Sequence, residues 1–346
     1  MRIVVVGGGI IGTCFALEAR ARGVEVLVVE TTGLHAEAST AAAGILGAEA
    51  EAMTSGHDAA AGVRAREALI HWLPSLEART GVSVRFARRG TLVLPASANE
   101  HAEYTQWLAG HGPSSRALDA AEVESLQPAL ARPAHGAFLF DNDGSLEPAR
   151  LGTAVTSALR IEHIPVYCGD SVRDFVRSGD TVCGVRLESG KTLESDLVVV
   201  AAGAWGAKLL QRAGVRDSAK PLRGQLIELR PRGGELRPVV FEGKRYVVPR
   251  GDGRYVVGST MEDAGFDRST TPDARAELLA FARRISPIFH EAEEGAHWAG
   301  LRPYRDGGPR IGATPIPGLF SSFGHGRNGI LHCRQSALQL ADAIGI

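Results

Sequence analysis

The chain opens Arg2-Ile3-Val4-Val5-Val6-Gly7-Gly8-Gly9-Ile10-Ile11-Gly12. Residues 3–6 are an apolar, β-branched run, short enough for a fully buried parallel strand. Gly7, Gly9 and Gly12 fit G-x-G-x-x-G. The first permits a tight turn, the second lets backbone approach a pyrophosphate, and the third lets a helix pack on the strand. Thr13–Arg22 reads as that helix, Gly23 as its stop and Val24–Val29 as a second strand. Glu30 follows, at about the 20-residue distance where a carboxylate accepts from ribose hydroxyls. Glycines alone would be weak evidence, because they also make ordinary turns. Strand, glycines, helix, strand and acid in one unit point to an ADP moiety. The acid disfavours a 2′-phosphate, which leaves FAD or NAD rather than NADP.

The 346 residues suit two domains. A hydrophobic fraction of 44% supplies sizeable cores, and a net charge of −1 removes the electrostatic case for nucleic acid or a membrane surface. The four cysteines, Cys14, Cys168, Cys183 and Cys333, are far apart and form no C-x-x-C. They read as buried reduced thiols of a cytoplasmic protein, not as a disulfide frame or metal site. Glycines 7–9 interrupt the only stretch that resembles a signal peptide, and no run of about 18 apolar residues suggests a membrane span.

Beyond Glu30 lies a loop, then Ala38-Ser39-Thr40-Ala41-Ala42-Ala43-Gly44-Ile45-Leu46-Gly47. Such small residues allow backbone to lie against a flat or charged ligand. They suit an alanine-rich helix start equally well, with Ser39 or Thr40 as cap. Ala60–Leu76 has helical periodicity. Val82–Phe86 and Thr91–Leu94 read as strands, His101–Leu108 and Ala120–Leu126 as helices, and Pro148 as an early helical position. Gly184–Leu187 and Thr192 flank a hairpin turn at Ser189-Gly190, and Leu197–Ala202 is a buried strand ending at Gly203, where open α/β sheets hold ligands. Gly224–Leu229 reads as a strand. Arg245–Pro249 and Arg254–Gly258 bracket a turn at Gly251-Asp252-Gly253, and Asp273–Ile285 reads as a helix. Leu319–Phe323 is the last strand, and Gly324–Leu331 is a glycine-rich turn into a closing helix, Cys333–Ile344.

These pieces predict an α/β fold. A discontinuous Rossmann-like domain (1–50, 145–220 and 297–346) carries an inserted α+β substrate domain (51–144 and 221–296) built on an antiparallel sheet.

The chain resembles the D-amino-acid-oxidase superfamily of flavoproteins, and within it the glycine oxidases of thiamine biosynthesis. The resemblance rests on Gly7–Gly12, Glu30, Ser39–Gly47, Tyr246–Arg250, Trp298–Pro303 and Gly324–Leu331, which span nearly the whole chain. It implies FAD, held noncovalently because the segment Gly300-Leu301-Arg302 has no cysteine for attachment. It places Ile10 and Ile11 beside the pyrophosphate, Glu30 and Thr31 beside the adenosine ribose, and Val172 at the adenine. Ala38, Ser39, Ala43, Gly44 and Ile45 lead toward the isoalloxazine, which assigns the alanine stretch to the cofactor. His325, Gly326, Arg327, Asn328, Gly329, Ile330 and Leu331 wrap the flavin's pyrimidine end, where the opening helix would stabilise negative charge.

By the same resemblance, Arg302 clamps the substrate carboxylate with two parallel hydrogen bonds, Tyr246 adds a hydroxyl donor and Arg327 holds substrate through its backbone. A lone arginine is more often a solvated ion pair and a lone tyrosine more often core. The Gly-Leu-Arg-Pro context favours the clamp. No side chain is required as a base: hydride passes from the substrate Cα to flavin N5. The implied reaction is oxidative deamination of glycine, small amines or D-amino acids, with O2 as acceptor giving H2O2. A dehydrogenase with another acceptor, an oxidase of another secondary amine, a nucleic-acid-modifying flavoprotein and a non-catalytic flavin binder are the alternatives. Sarcosine-type oxidases carry a lysine over the flavin where this chain has Met261, and Lys244 stands where a histidine is expected. The resemblance also implies a homo-oligomer.

Overall fold

The computed structural model describes residues 1–111 and 115–346. Its first layer is a six-stranded sheet in the order Arg310–Ala313, Leu319–Phe323, Leu197–Val200, Arg2–Val6, Glu25–Glu30, Val166–Cys168. All neighbours are parallel except the edge pair Arg310–Ala313 and Leu319–Phe323. Ile3 stands opposite both Val26 and Leu197, so the first strand is the sheet's centre.

Both faces of that strand are covered, which is why residues 3–6 lack a polar alternation. Ile3, Val5, Val26 and Val28 pack against Phe15, Leu151 and Leu340 of the helices Ile10–Ala21, Pro148–Ile161 and Gly329–Ile344. Val4, Val6, Leu27 and Val29 pack on the other face against Val182 and Leu187. These last two belong to a three-stranded antiparallel sheet, Val172–Ser178, Thr181–Leu187 and Thr192–Glu194. Each such buried Val or Ile contributes about 1.5–3 kcal/mol of burial free energy.

The second large sheet has eight strands. Its order is Glu293–Tyr304, Lys220–Arg230, Tyr255–Gly258, Arg245–Pro249, Val239–Glu242, Thr91–Val93, Ala137–Phe140, Ser115–Leu118. It is antiparallel except where Val239–Glu242 runs parallel to Thr91–Val93. One face is closed by the helix Pro272–Ile285 through Leu278, Phe281, Ala282 and Ile285. The other face presents Leu226, Tyr246 and Val248 toward Ala43, Ala50 and Met53.

The boundary expected at residue 297 falls inside the strand Glu293–Tyr304, which pairs with Lys220–Arg230 over most of its length. Residues 297–304 therefore lie in the eight-stranded sheet. Val82–Phe86 forms no strand: Arg85 has φ +53°, and Val84 N donates to the Glu77 side chain (2.6 Å) rather than to a neighbouring strand. The helix expected at Ala60–Leu76 runs from Ala59 to Thr80, past Pro74, and ends at Gly81 with a left-handed φ of +70°. Cys168 is exposed and Cys183 half-buried, so only Cys14 and Cys333 are buried thiols.

Candidate active site

A cavity of about 580 Å³ separates the two large sheets and is lined by residues of both. At one end, Gly7 turns the chain with φ +116°, and a Cβ there would meet the Ala201 carbonyl oxygen at 2.4 Å. A Cβ at Gly12 would meet the Gly7 oxygen at 2.2 Å. The helix Ile10–Ala21 thereby approaches its strand closely and aims its N-terminus at the cavity, where backbone N–H groups and the positive dipole end suit a phosphate. Ser39 closes this end from the far side, its Oγ accepting from Ile10 N at 2.9 Å. Glu30 accepts from Gly8 N at 2.7 Å and from Thr32 N at 3.0 Å, which fixes the carboxylate on the cavity wall with lone pairs left over.

The other end is built from four adjacent strands of the second sheet. Gly224 and Gly258 lie on the two inner strands, Lys220–Arg230 and Tyr255–Gly258. Arg302 leans across from one side: Gly224 pairs with Gly300, two residues from Arg302, and a Cβ at Gly224 would meet the guanidinium nitrogens at 2.2 Å. Tyr246 leans across from the other side. It pairs with Gly258, where a Cβ would meet its ring at 2.7 Å. Two glycines thus make a shallow bowl with a guanidinium and a phenol on its rims.

Arg302 donates to Thr260 O (3.0 Å) and Ser259 Oγ (2.5 Å) and has no carboxylate partner among the described residues. Burial lowers its pKa from the usual value; the Tyr246 oxygen opposes that shift and Arg327 adds to it. Arg302 is half-buried against the cavity, and a cation largely withdrawn from water without a counter-ion is a site for an anionic group. The helix Gly329–Ile344 points its N-terminus at the same end, through Gly326, Arg327, Asn328 and Gly329. Burial holds His325, also on this wall, neutral, with its pKa lowered to about 3. Its Nε2 is 2.8 Å from Ser336 Oγ, and its Nδ1 has no partner.

The cavity wall brings together Gly7, Gly9, Ile10, Ile11, Glu30, Thr31, Ala38 and Ser39. Ala43, Gly44, Ile45, Val172, Gly203 and Ile330 line it as well. Gly12 and Leu331 do not. Gly12 is packed behind the turn, and Leu331, 1% exposed, belongs to the helical core. Met261 is 43% exposed and outside the lining, so nothing from position 261 covers the cavity.

Sequence reasoning missed Glu51, Trp205, Lys208, Arg212 and Arg268, all on the wall. Trp205 and Lys208 follow the glycine turn at Gly203, a signal that pointed to them. Glu51 sits in Ala48–Ser55, where alternating Ala and Glu gives no functional cue.

Residues 2–343 match the DAO family, described as FAD-dependent oxidoreductases. The chain belongs to this family. It is 32% identical to the glycine oxidase of Geobacillus kaustophilus over 350 residues, covering 99% of this chain and 92% of the relative. It is also 32% identical to the glycine oxidase of Pseudomonas aeruginosa, covering 99% and 94%. The crystal structure of the Geobacillus kaustophilus glycine oxidase superposes with a TM-score of 0.94 at 30% identity, covering 99% of this chain and 94% of that one.

FAD is thus the cofactor, and the DAO fold's cavity suits it on its own geometry. One long space joins a helix N-terminus and an acid, which match pyrophosphate and ribose, to a second helix N-terminus and an unpaired guanidinium. Trp298 Nε1, from the second sheet, donates to Ala41 O at 3.0 Å and ties the cavity-lining alanine segment to that sheet.

Proposed function

We propose that this protein is a glycine oxidase-like enzyme that oxidatively deaminates glycine and other small amines or D-amino acids. The observation that carries the reading is Arg302, half-buried on the cavity wall, with no carboxylate partner among the described residues and only Thr260 O and Ser259 Oγ accepting from it. Relatives named as glycine oxidases over the full chain support the same reading. The residues lining the cavity would hold FAD, which when bound would supply the hydride acceptor for the substrate Cα–H, with O2 as the proposed oxidant giving H2O2.

The chain's own residues bind and orient. Arg302 takes the substrate carboxylate in two parallel, charge-assisted hydrogen bonds that the half-closed bowl shields from water. Tyr246 donates its hydroxyl to the same carboxylate. The Arg327 backbone holds the substrate from the opposite wall. The turn 326–329, which lines the cavity at a helix N-terminus, would offer N–H groups to negative charge on the bound cofactor. Fixing the carboxylate sets the Cα–H direction, which accounts for catalysis without a side-chain base. Water hydrolyses the released imine, giving glyoxylate and ammonia from glycine. The proposal includes noncovalent FAD, a cytoplasmic location and a homo-oligomer.

Purified protein is incubated with glycine, sarcosine and small D-amino acids, and peroxide and ammonia are followed. The expected result is stoichiometric release of both. Anaerobic bleaching of the flavin without aerobic peroxide identifies an acceptor other than O2. No bleaching with any of these amines overturns the reading.

A further inference from the structure

The carboxylate end of the cavity holds a second arginine and one acid. Glu51 projects from the helix Ala48–Ser55 onto the wall with 5% of its side chain exposed. Its Oε1 lies 3.1 Å from Arg327 Nη2, yet the pair is not aligned as a hydrogen bond, and neither Oε2 nor Nη2 has a hydrogen-bond partner. The Arg327 guanidinium carbon stands 5.9 Å from the Tyr246 ring centre and 5.7 Å from that of Phe241. Arg302 feels both charges, Arg327 pushing its pKa down and Glu51 pulling it up. Two cations and one anion therefore share a single water-poor wall and leave one net positive charge.

Glu51 is held there by a buried network. Asp143 accepts from Ala50 N at 3.1 Å and lies 2.7 Å from Arg66 Nη1, which also reaches Glu49 Oε2 at 2.9 Å. The first turn of the short helix is clamped, which fixes the backbone from which Glu51 projects. A buried carboxylate oxygen left without a hydrogen bond is unfavourable. An acid kept in such a place by its surroundings invites a role beyond packing.

We infer that Glu51 sets the charge selectivity of the substrate end: it cancels Arg327, leaves Arg302 as the uncancelled member of the Arg302–Arg327–Glu51 group, and so favours molecules carrying one carboxylate. The inference deepens the proposed function and rests on its placing of a carboxylate at Arg302. Without the acid, Arg327 becomes a second anion partner in reach of the same bowl, and dicarboxylates fit.

The test is calorimetric titration of acetate and malonate into the FAD-loaded protein, which needs no turnover. Wild type is expected to bind acetate in preference to malonate. In Glu51→Gln, nearly isosteric, the ratio of the two dissociation constants is expected to move toward malonate by roughly tenfold or more, the scale of one unit charge at partly buried separations. Arg327→Gln leaves Arg302 and Glu51 to cancel, and acetate binding is expected to weaken roughly tenfold by the same Coulomb estimate. The double variant Glu51→Gln/Arg327→Gln is expected to recover wild-type acetate affinity, a coupling that a merely structural Glu51 would not produce.

A Glu51→Gln protein that weakens both anions alike, or shifts their ratio less than about twofold against that estimate, overturns the inference. If Glu51→Gln fails to hold FAD, Arg327→Gln decides: unchanged acetate affinity overturns it. Wild type that binds neither anion removes the carboxylate reading itself. Selective binding without amine turnover removes only the proposed reaction.

Discussion

The two ends of the cavity are made in different ways. The nucleotide end is mostly backbone from one continuous stretch, Gly7–Gly12, closed by Glu30 and Ser39. The substrate end is mostly side chains, Arg302 and Tyr246 over Gly224 and Gly258, with Arg327 and Glu51 opposite. A phosphate needs only N–H groups and a helix end, which three spaced glycines provide. A carboxylate clamp needs particular side chains brought from strands far apart in sequence, and only sheet register does that. Changes at one end should therefore abolish cofactor retention, and changes at the other should abolish turnover while the protein stays yellow.

The largest effect expected is at Arg302. Arg302→Ala should lower kcat/KM for the amine substrate by about a thousandfold, or ~4 kcal/mol, with FAD content unchanged. Loss of flavin in that variant would break the contrast. Gly12→Ala should act the other way: its Cβ meets the Gly7 oxygen, and we expect about 3 kcal/mol of lost stability together with loss of bound FAD. Urea unfolding and the 450 nm absorbance report both.

Acid should be felt in the domain of the six-stranded sheet, at both ends of the cavity. His35 and His325 are buried and His332 half-buried, and desolvation holds all three neutral, with pKa values lowered to about 4, 3 and 4. As pH falls below about 6.5 the unfolded chain takes up protons that the folded rings refuse. Their stabilisation is complete above that pH and is lost toward their folded values. Both His35 ring nitrogens are buried without partners, so His35→Leu should remove its share of the acid sensitivity, about 2 kcal/mol at pH 5. Urea midpoints at pH 8 and pH 5 measure it. The smallest effect is expected from Tyr246→Phe, which removes one hydroxyl donor and should cost about 1 kcal/mol, mainly in KM.

The same contrast explains what could be read from the chain. The first strand, its glycines, the next strand and Glu30 are contiguous, and the physics of each is local. The start at Pro148 was legible for the same reason, since proline fixes its own backbone, whereas the helices expected at Thr13 and Cys333 begin earlier, at Ile10 and Gly329, because the glycine turns run straight into them. Val82–Phe86 misled because β-branched residues mark extended backbone, while Arg85 breaks the run with a left-handed conformation. Arg302 and Tyr246 emerged only through family resemblance. Their site depends on Gly224 and Gly258 coming under them, and no spacing along the chain records that. Glu51 was invisible because its partner, Arg327, is hundreds of residues away. Leu331 and Gly12, the two expected wall residues that are not on the wall, sit one layer behind it, where helical phase turns them into the core.

The helices Ile10–Ala21 and Gly329–Ile344 pack side by side, with Cys14 and Cys333 in contact between them. Their N-termini open on opposite ends of one elongated space. The molecule therefore joins its two anion seats through a rigid strut rather than through loops. Both seats stand ready before either is filled, so a cofactor spanning them should bind far more tightly than its adenylate half alone.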